Sequence, residues 1–447
     1  MTADPSRWSA KRAVEWGLAL IVIASLAWTV MQFFQKHYLP QPFVFDTNDT
    51  FMDWFNTAYW ANNPGAFDVW RTIYPPLSFV FLKATTLSSC YLESPFYGRD
   101  CDWLARTTIY FSYGLVALLA FVSFRRIDRT TAIPRGLAFA LGMPLLYTLE
   151  RGNLILPCVV FFIIAYGDLV KSPHWKWIAM AVTINFKPYL LIPVLPLAIK
   201  RDWRSLEMAG FATIAVYLLT LATLGDGTLG QMAANTRDWV TFQSGQIWNE
   251  IYYSTSYAPL TLIDANRFPI RSYMSSETFE SITATVPVLI RVSQLLTLAV
   301  LIGGWLQPAA LSFRRLSLVA MAGYFATQSP GGYSIAFLTF LLFLERADRT
   351  GPMIALVCGY LLAITADWSL ATITNVSTTS WLGGQTVLVN FSLAIGQLVR
   401  PGLVIVLLWS LAVDSLILIV AAHRGHVPTL GLGKSRFVLA SLKPQGV

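Results

Sequence analysis

Long apolar runs, almost free of charged residues, recur along the 447-residue chain and constrain its fold more than any other feature. A helix needs about 20 apolar residues to cross a bilayer. Because the runs are continuous rather than alternating, they exclude a transmembrane β-barrel. They predict an all-α polytopic membrane protein with about 10–12 transmembrane helices. The runs that could cross are 14–33, 107–124, 134–149, 153–170, 207–225, 285–306, 312–328, 333–344, 352–372 and 401–421.

The supply of charged residues is too small for a soluble protein. Only 13% of the residues are charged and 55% are hydrophobic. A soluble domain usually carries about 25% charged residues. This composition excludes a soluble enzyme, a disordered chain and a small disulfide-framed domain.

The net charge of +8 is explained by where the basic residues lie. Short cytoplasmic loops of membrane proteins are enriched in Lys and Arg. Three basic residues precede the first run and predict a cytoplasmic N-terminus; the later basic loops and the C-terminal tail then fall on the same side. We expect the positive charge to attract anionic lipids and no nucleic acid to bind. The basic positions include Arg7, Lys11, Arg12, Arg125, Arg126, Arg129, Arg135, Lys171, Lys176, Lys200, Arg201, Arg204, Arg314, Arg315, Arg346 and Arg349.

The chain is predicted to form one integral membrane domain, residues 1–447, in the cytoplasmic (inner) membrane. The predicted large outer loops, 34–106, 226–284 and 373–399, would face the periplasm or the cell exterior. Acidic residues concentrate in the first two of these loops. A functional site is therefore expected on the outer side, with both termini in the cytoplasm.

Two further apolar segments do not fit simple crossings. Residues 74–88 are short and begin next to two prolines, so we expect a helix lying in or dipping into the outer leaflet. Residues 177–199 have basic flanks on both sides and must return to the face they entered, as a hairpin broken at Lys187-Pro188. Proline breaks helices, and broken backbone at membrane depth is tolerated only inside protein or around a cavity. The break fits either a site or a kinked structural hairpin.

Three carboxylates, Asp46, Asp49 and Asp53, lie within eight residues among aromatic side chains of the first outer loop. Asp49 and Asp53 are four residues apart and share a face if this stretch is helical. A carboxylate beside Met52 and Trp54 at the bilayer edge suits a general base that faces a hydroxyl. The alternative is that Asp46 and Asp49 shape a turn while Asp53 is merely solvated.

Three more polar elements are candidates for a site. Residues 150–153 (Glu-Arg-Gly-Asn) offer Arg151, whose planar fork suits a phosphate, or else an interfacial ion pair that closes a turn. Lys187 stands at a helix break and would pair with an anion, unless its stem simply reaches the interface. Residues 328–333 (Gln-Ser-Pro-Gly-Gly-Tyr) fit a plain turn as well as a site.

Taken in order, these residues resemble the GT-C membrane glycosyltransferases, and more narrowly glycosyltransferase family eighty-seven, the polyprenol-phosphate-mannose-dependent mannosyltransferases. The resemblance covers residues from about 30 to 330 and departs from the family pattern at Gly331-Gly332, where a histidine is frequent. The matching pieces are Phe51-Met52-Asp53-Trp54, Tyr74-Pro75-Pro76-Leu77, Arg151-Gly152-Asn153, Asn185-Phe186-Lys187-Pro188 and Ser329-Pro330.

The resemblance implies an inverting transfer of a sugar, mannose or a related hexose, from a polyprenyl phosphate to an acceptor at the outer leaflet. Asp53 is the matching catalytic base. The leaving group is a lipid phosphate, so its developing negative charge must be stabilised. The donor-phosphate candidates are Arg151, Lys187, Asn153 and Tyr74, and the secondary candidates are Asp49, Glu150, Gln328 and Ser329.

The expected partners are membrane lipids, the polyprenyl-phosphate sugar donor and a glycolipid or polysaccharide acceptor. We expect no other cofactor, because the sequence has neither a phosphate-binding glycine loop nor a Cys/His metal motif, and no metal is required. Cys90 and Cys101 share the first outer loop and predict a disulfide if that side is oxidising. Cys158 and Cys358 lie in membrane runs and are expected to be buried.

The competing hypothesis is a secondary transporter or a flippase for lipid-linked sugars, without transferase chemistry. Broken helices with charges near the middle of the membrane are features of transporters too. Two observations favour the transferase: the chain has no inverted repeat that we detect, and the candidate residues gather on one face.

Overall fold

The computed structural model describes residues 5–43, 46–242, 274–328 and 330–425. About 72% of these residues are helical. The helices before residue 200 are α1 (Pro5–Lys36), α2 (Met52–Asn62), α3 (Pro76–Thr85), α4 (Pro95–Cys101), α5 (Trp103–Ile127), α6 (Ala132–Ala140), α7 (Met143–Arg151), α8 (Ile155–Tyr166), α9 (Pro173–Phe186) and α10 (Pro196–Ile199). The later helices are α11 (Trp203–Leu224), α12 (Leu229–Phe242), α13 (Ser276–Leu306), α14 (Phe313–Thr327), α15 (Ile335–Phe343), α16 (Thr350–Leu362) and α17 (Gly396–His423). Three short 3₁₀ helices, Ser88–Tyr91, Pro188–Val194 and Gly332–Ser334, and one hairpin of strands β1 (Ser369–Ser380) and β2 (Gln385–Ala394) complete the described elements.

Six helical segments of the described chain are long and apolar enough to cross a membrane. They comprise α1 from Lys11 onward, α5, α6 with α7, α11, α13 and α17. Shorter apolar helices, among them α3, α8 and α16, add to them. Every predicted apolar run contains a helix. The coarse class, an α-helical protein with several potential membrane spans, is therefore as predicted.

The run at 134–149 is divided into α6 and α7 by a break at Leu141-Gly142. A side chain at position 142 would collide with the carbonyl oxygen of Ala138 and with Ala363 after α16, so glycine permits the close approach. The amide of Met143 donates to the carbonyl of Ala363 at 2.9 Å, which satisfies a donor at the start of α7. The break thus fastens α7 to the end of α16.

The predicted break at Lys187 is present. Helix α9 ends at Phe186, Lys187 takes an extended conformation, and Pro188 opens the following 3₁₀ helix. The segment ends near Lys200, whose ammonium donates to the carbonyls of Pro308 and Leu311. Residues 74–88 contain the ten-residue α3, with Pro76 as its first residue.

The predicted outer loop at 373–399 and the predicted crossing at 352–372 need correction. Helix α16 ends at Leu362, and the chain from 369 forms an antiparallel hairpin in which Ser369 pairs with Ala394 and Ser380 with Gln385. Positions 396–399 already belong to α17. Period-two burial along β2 places Val387 and Val389 against Tyr38, and this contact stabilises a two-stranded sheet that would be marginal alone.

One end of the helix bundle holds a buried network of charges around Arg135, at the start of α6; we call it the Arg135 end. Arg135 pairs with Glu15 at 2.7 Å, with both side chains almost fully buried. Arg315 pairs with Glu345 at 2.8 Å and with Asp414 at 2.9 Å. Nearby pairs are Lys11–Asp348, Arg349–Asp414 and Arg314–Asp168.

Five of the basic residues that the sequence assigns to one side of the membrane thus lie together at the Arg135 end: Lys11, Arg135, Arg314, Arg315 and Arg349. The α6–α7 segment leads away from this network and ends at Arg151. The predicted site residues around Arg151 therefore occupy the other end of that segment, which we call the Arg151 end.

Candidate functional site

The site begins where α7 ends. Arg151 is the last helical residue, and Gly152 adopts a left-handed conformation with φ of 59°. The amide of Gly152 donates to Leu149 and that of Asn153 to Thr148, which satisfies carbonyls at the helix end. Asn153 then accepts from the amide of Ile155 and starts α8. The tight turn holds Arg151 and Asn153 two residues apart.

The first outer loop docks onto this turn. The amide of Phe51 donates to the carbonyl of Glu150 at 2.8 Å, another α7 carbonyl that lacks a helical partner. A Cβ atom on Gly152 would lie only 2.9 Å from the Cα of Phe51. Phe51 itself is left-handed, with φ of 65°, and α2 starts at Met52. Asp53 therefore sits in the first turn of α2, directly opposite α7.

Arg151 joins the two carboxylates that the sequence singles out. Its Nη2 donates to Asp49 at 2.5 Å and to Asp53 at 2.8 Å. The side-chain amide of Asn153 donates to the other oxygen of Asp53 at 2.8 Å. Asp49 precedes α2, so the two aspartates meet through Arg151 and not through a shared helical face. Met52 and Trp54, the apolar neighbours of Asp53, are buried in the core, and the Trp54 ring packs on Phe81.

Helix dipoles and burial both act on the charges of Asp49, Asp53 and Arg151. A carboxylate is favoured at a helix N-terminus and a cation at a C-terminus, as found for Asp53 on α2 and Arg151 on α7. Burial raises the pKa of Asp49 above its ordinary value of 3.8, although Arg151 acts in the opposite direction. Arg151 is the one cation that contacts both aspartates within the described chain.

Glu150 lies beside this cluster and is buried. One carboxylate oxygen accepts from the hydroxyl of Thr50 at 3.2 Å; the other has no hydrogen-bond partner in the part of the chain that the structure describes. Glu150, Thr50 and Asp46 line a cavity of about 10 Å³, which is about the space that one water molecule needs. Glu150 thus supports the turn that carries Asp49.

A second group lies around Lys187. The ammonium stands 4.5 Å from the centroid of the Tyr74 ring and makes no hydrogen bond or ion pair with the described residues. Tyr74 lies within electrostatic range of Tyr333, as does Asp53. Tyr333 also stacks on Tyr147, with ring centroids 6.0 Å apart. Tyr333 is therefore within electrostatic range both of Asp53, beside Arg151, and of Tyr74, beside Lys187.

The structure thus brings together Asp49, Asp53, Glu150, Arg151 and Asn153. Tyr74 and Lys187 form a second group, and Tyr74 and Asp53 are both within electrostatic range of Tyr333. Gln328 is an exposed residue at the end of α14, and Ser329 lies outside the described residues. Cys90 and Cys101 form the predicted disulfide, whereas Cys158 and Cys358 are free and buried. Within the described ranges, no three His, Cys, Asp or Glu side chains are placed to hold a metal ion.

Sequence reasoning missed two residues that contact the loop carrying Asp49. Arg99 on α4 donates to the carbonyl of Asn48, and Trp381 in the hairpin turn donates its amide to the carbonyl of Thr47. No local pattern connects these distant positions. A Gly383-Gly384 pair before an alternating segment is a hairpin signal that could have placed Trp381 at a turn.

A scan against protein-family models, a search of curated proteins and a search of solved structures each found no match.

Proposed function

We propose that this chain is a membrane glycosyltransferase. It transfers a sugar, mannose or a related hexose, from a polyprenyl phosphate to a lipid-linked or polysaccharide acceptor at the outer leaflet. The observation that carries the proposal is the contact of Asp53 with Arg151 and Asn153. These residues stand 98 and 100 positions apart in the sequence, yet they meet at a helix end in a chain with several potential membrane spans.

The carboxylates fit the acceptor half of such a reaction. The acceptor oxygen attacks the anomeric carbon, its proton passes to Asp53, and the bond between the anomeric carbon and the phosphate oxygen breaks with inversion. A general base contributes about 10²–10⁴-fold to such a step. Arg151 and Asn153 hold both oxygens of Asp53, so the carboxylate is oriented before the substrate binds.

Lys187 fits the donor half. The departing phosphate takes the electron pair of the broken bond and gains negative charge, which a nearby cation stabilises. Arg151 is already shared by two carboxylates, whereas Lys187 has no acidic partner among the described residues. We therefore assign the lipid phosphate primarily to Lys187, beside Tyr74, and give Arg151 the task of organising the aspartates.

A lipid-linked sugar flippase remains the second candidate, because α9 breaks at the same Lys187. Such breaks around a charged group recur at transport sites. A flippase needs Lys187 to bind its lipid phosphate but has no use for a base at Asp53.

The test uses purified protein, synthetic polyprenyl-phosphate-mannose and a membrane-lipid extract as the source of acceptor. We expect Asp53→Asn and Asp53→Ala to lower the transfer rate by at least about 10²-fold. The exposed Asp68 of the same loop offers the control Asp68→Asn, which should transfer as fast as the wild type.

Wild-type rates in both Asp53 variants would contradict the assignment of the base. Lipid movement across vesicles, without transfer by any form of the protein, would favour the flippase instead.

A further inference from the structure

We call the segment that carries Asp49, residues 46–51, the carboxylate turn. Besides its contacts with α7, it is held by two further elements that contain none of the predicted polar site residues. On one side the hydroxyl of Thr47 donates to the carbonyl of Thr379 at 2.8 Å, and the amide of Trp381 donates back to the carbonyl of Thr47 at 3.2 Å. The Trp381 ring meets Phe51 edge to face, with centroids 5.4 Å apart. The hairpin therefore docks on the turn through both backbone and ring contacts.

Arg99 of α4 holds the carboxylate turn from a second side. It is only 3% exposed. Its Nη1 donates to the carbonyls of Asn48 at 2.5 Å and of Thr50 at 3.2 Å, and its Nη2 donates to the side-chain oxygen of Asn48 at 3.3 Å. A buried guanidinium is costly and usually pairs closely with a carboxylate. Here most of its donors are used on the backbone and side chain of one turn.

Arg99 and Trp381 also contact each other. The guanidinium carbon of Arg99 lies 4.7 Å from the centroid of the Trp381 ring. The indole N–H of Trp381 donates to Asp100 at 2.9 Å, and Arg99 pairs with the same carboxylate oxygen at 3.4 Å. The next residue, Cys101, is bonded to Cys90, which ties α4 to the rest of the first outer loop.

We propose that Arg99 and Trp381 are positioning residues that place Asp49 against Arg151. The inference rests on the proposed function and deepens it, because it names what holds the carboxylates in register. Asp49 reaches Arg151 across 2.5 Å, so a small shift of the turn breaks the contact and leaves Arg151 to Asp53 alone. A misplacement of about 1 Å can lower a catalytic rate about 10²-fold.

Arg99 acts on Asp49 through charge as well as geometry. Its guanidinium lies within electrostatic range of both Asp49 and Asp46. Removing a nearby cation disfavours the ionised form of a carboxylate. Loss of Arg99 should therefore move the acid limb of the pH–rate profile to higher pH, and a weakened Asp49–Arg151 pair would add to this shift. A residue that only stabilised the fold would leave the limb in place.

The experiment compares Arg99→Gln, Arg99→Lys and Trp381→Phe with the wild type, and uses the exposed Arg71 for the control Arg71→Gln. Transfer from polyprenyl-phosphate-mannose gives kcat and the donor KM. Hydrogen exchange followed by mass spectrometry reports the protection of residues 46–53 without any need for activity. Thermal unfolding in detergent checks that each variant is folded.

We expect Arg99→Gln to lower kcat by about 10- to 100-fold with little change in donor KM, and to speed exchange in residues 46–53. Arg99→Lys keeps the charge but loses the fork, so its kcat should fall less and its acid limb should shift less than in Arg99→Gln. Trp381→Phe keeps the ring but loses the bond to Asp100, and should show a smaller loss. Arg71→Gln should match the wild type.

Unchanged exchange in residues 46–53 of folded Arg99→Gln would overturn the proposal, as would faster exchange with wild-type kcat. If Arg99→Gln does not fold, Trp381→Phe decides by the same two readouts. If the wild type transfers no sugar, the glycosyltransferase proposal fails, and the exchange data alone decide whether Arg99 and Trp381 hold the turn.

Discussion

At the scale of single residues, the partners of Arg151 decide what the site can do. The sequence leaves two roles open for this arginine: binding a phosphate, which suits the guanidinium fork, or an interfacial ion pair that closes a turn. The structure pairs it with Asp49 and Asp53, which stand 102 and 98 positions away along the chain. The sequence alone could identify Asp53 and Arg151 as polar residues that are costly near a membrane, but it could not show that they form an ion pair.

The ammonium of Lys187, which has no ion-pair partner among the described residues, leads to a prediction about the donor. Replacing it with methionine keeps the length of the side chain but removes the charge that the lipid phosphate would contact. We expect Lys187→Met to lower kcat/KM for polyprenyl-phosphate-mannose by about 10²-fold, the usual cost of removing a group that stabilises developing charge. Lys83→Met, at an exposed position on α3, is the matched control and should keep wild-type kinetics. Equal kinetics in both variants would remove Lys187 from the site.

The environment of Asp49 leads to a prediction about pH. Burial raises the pKa of Asp49 above 3.8, so at mildly acidic pH a larger share of this carboxyl is protonated than in an exposed aspartate. Protonation weakens its ion pair with Arg151, and activity should fall as pH falls through this raised pKa. We expect the acid limb of kcat/KM to lie above pH 3.8. Because Asn mimics the protonated carboxyl, the Asp49→Asn variant should have a lowered kcat/KM even at pH values where the wild type is fully active. A limb below 3.8 in the wild type would contradict this role of Asp49.

At the scale of elements, the junction of α7 with the first outer loop depends on Gly152. An alanine there would have to adopt the left-handed backbone conformation, and its Cβ would lie 2.9 Å from the Cα of Phe51. We expect Gly152→Ala to lower the free energy of unfolding by about 1–3 kcal/mol. Gly114, inside α5, has no atom within 4 Å of an added Cβ. Gly114→Ala should therefore be neutral or stabilising by up to about 1 kcal/mol.

Thermal unfolding in detergent measures both glycine variants, and activity adds a second readout. Because Gly152 adjoins Arg151, its alanine variant should also lose transfer activity while it is still folded. Equal unfolding temperatures for the two variants would show that the close contact with Phe51 does not constrain the site.

The helices were predictable from sequence and the hairpin was not, for a physical reason. Apolar runs such as 14–33 must be helical if they cross a membrane, because only a helix satisfies its own backbone there. The segment 369–394 has no charged residue, and its β1 half is mostly exposed, so it lacks the clear alternation of a half-buried strand. What fixes the hairpin is contact with Tyr38 and with the turn at Thr47, which local sequence does not record.

At the scale of the whole molecule, the buried ion-pair network and the candidate site lie at opposite ends of the α6–α7 segment. The Arg135 end carries ion pairs that join α1, α6, α14, α17 and the loop after α15, with most charged groups paired. Removing one partner of such a buried pair costs about 3–5 kcal/mol, so this end favours rigidity. At the Arg151 end, two aspartates share one arginine. The polar residues of the proposed site therefore lie at the end opposite to the Arg135 network.

The disulfide at the Arg151 end leads to a prediction for the molecule in its membrane. If the basic Arg135 end faces the cytoplasm, then Cys90 and Cys101 lie in an oxidising compartment and remain bonded, whereas Cys158 and Cys358 stay reduced inside the helix bundle. The protein is extracted under conditions that prevent thiol oxidation and disulfide exchange, and is then denatured without reductant. It should expose two reactive thiols before reduction and four after it. Closing so short a loop stabilises it by about 3 kcal/mol, so the Cys90→Ser/Cys101→Ser pair should unfold at lower temperature. Four reactive thiols before reduction would place the Arg151 end on the reducing side of the membrane. The carboxylates would then lie on the side opposite to a donor in the outer leaflet.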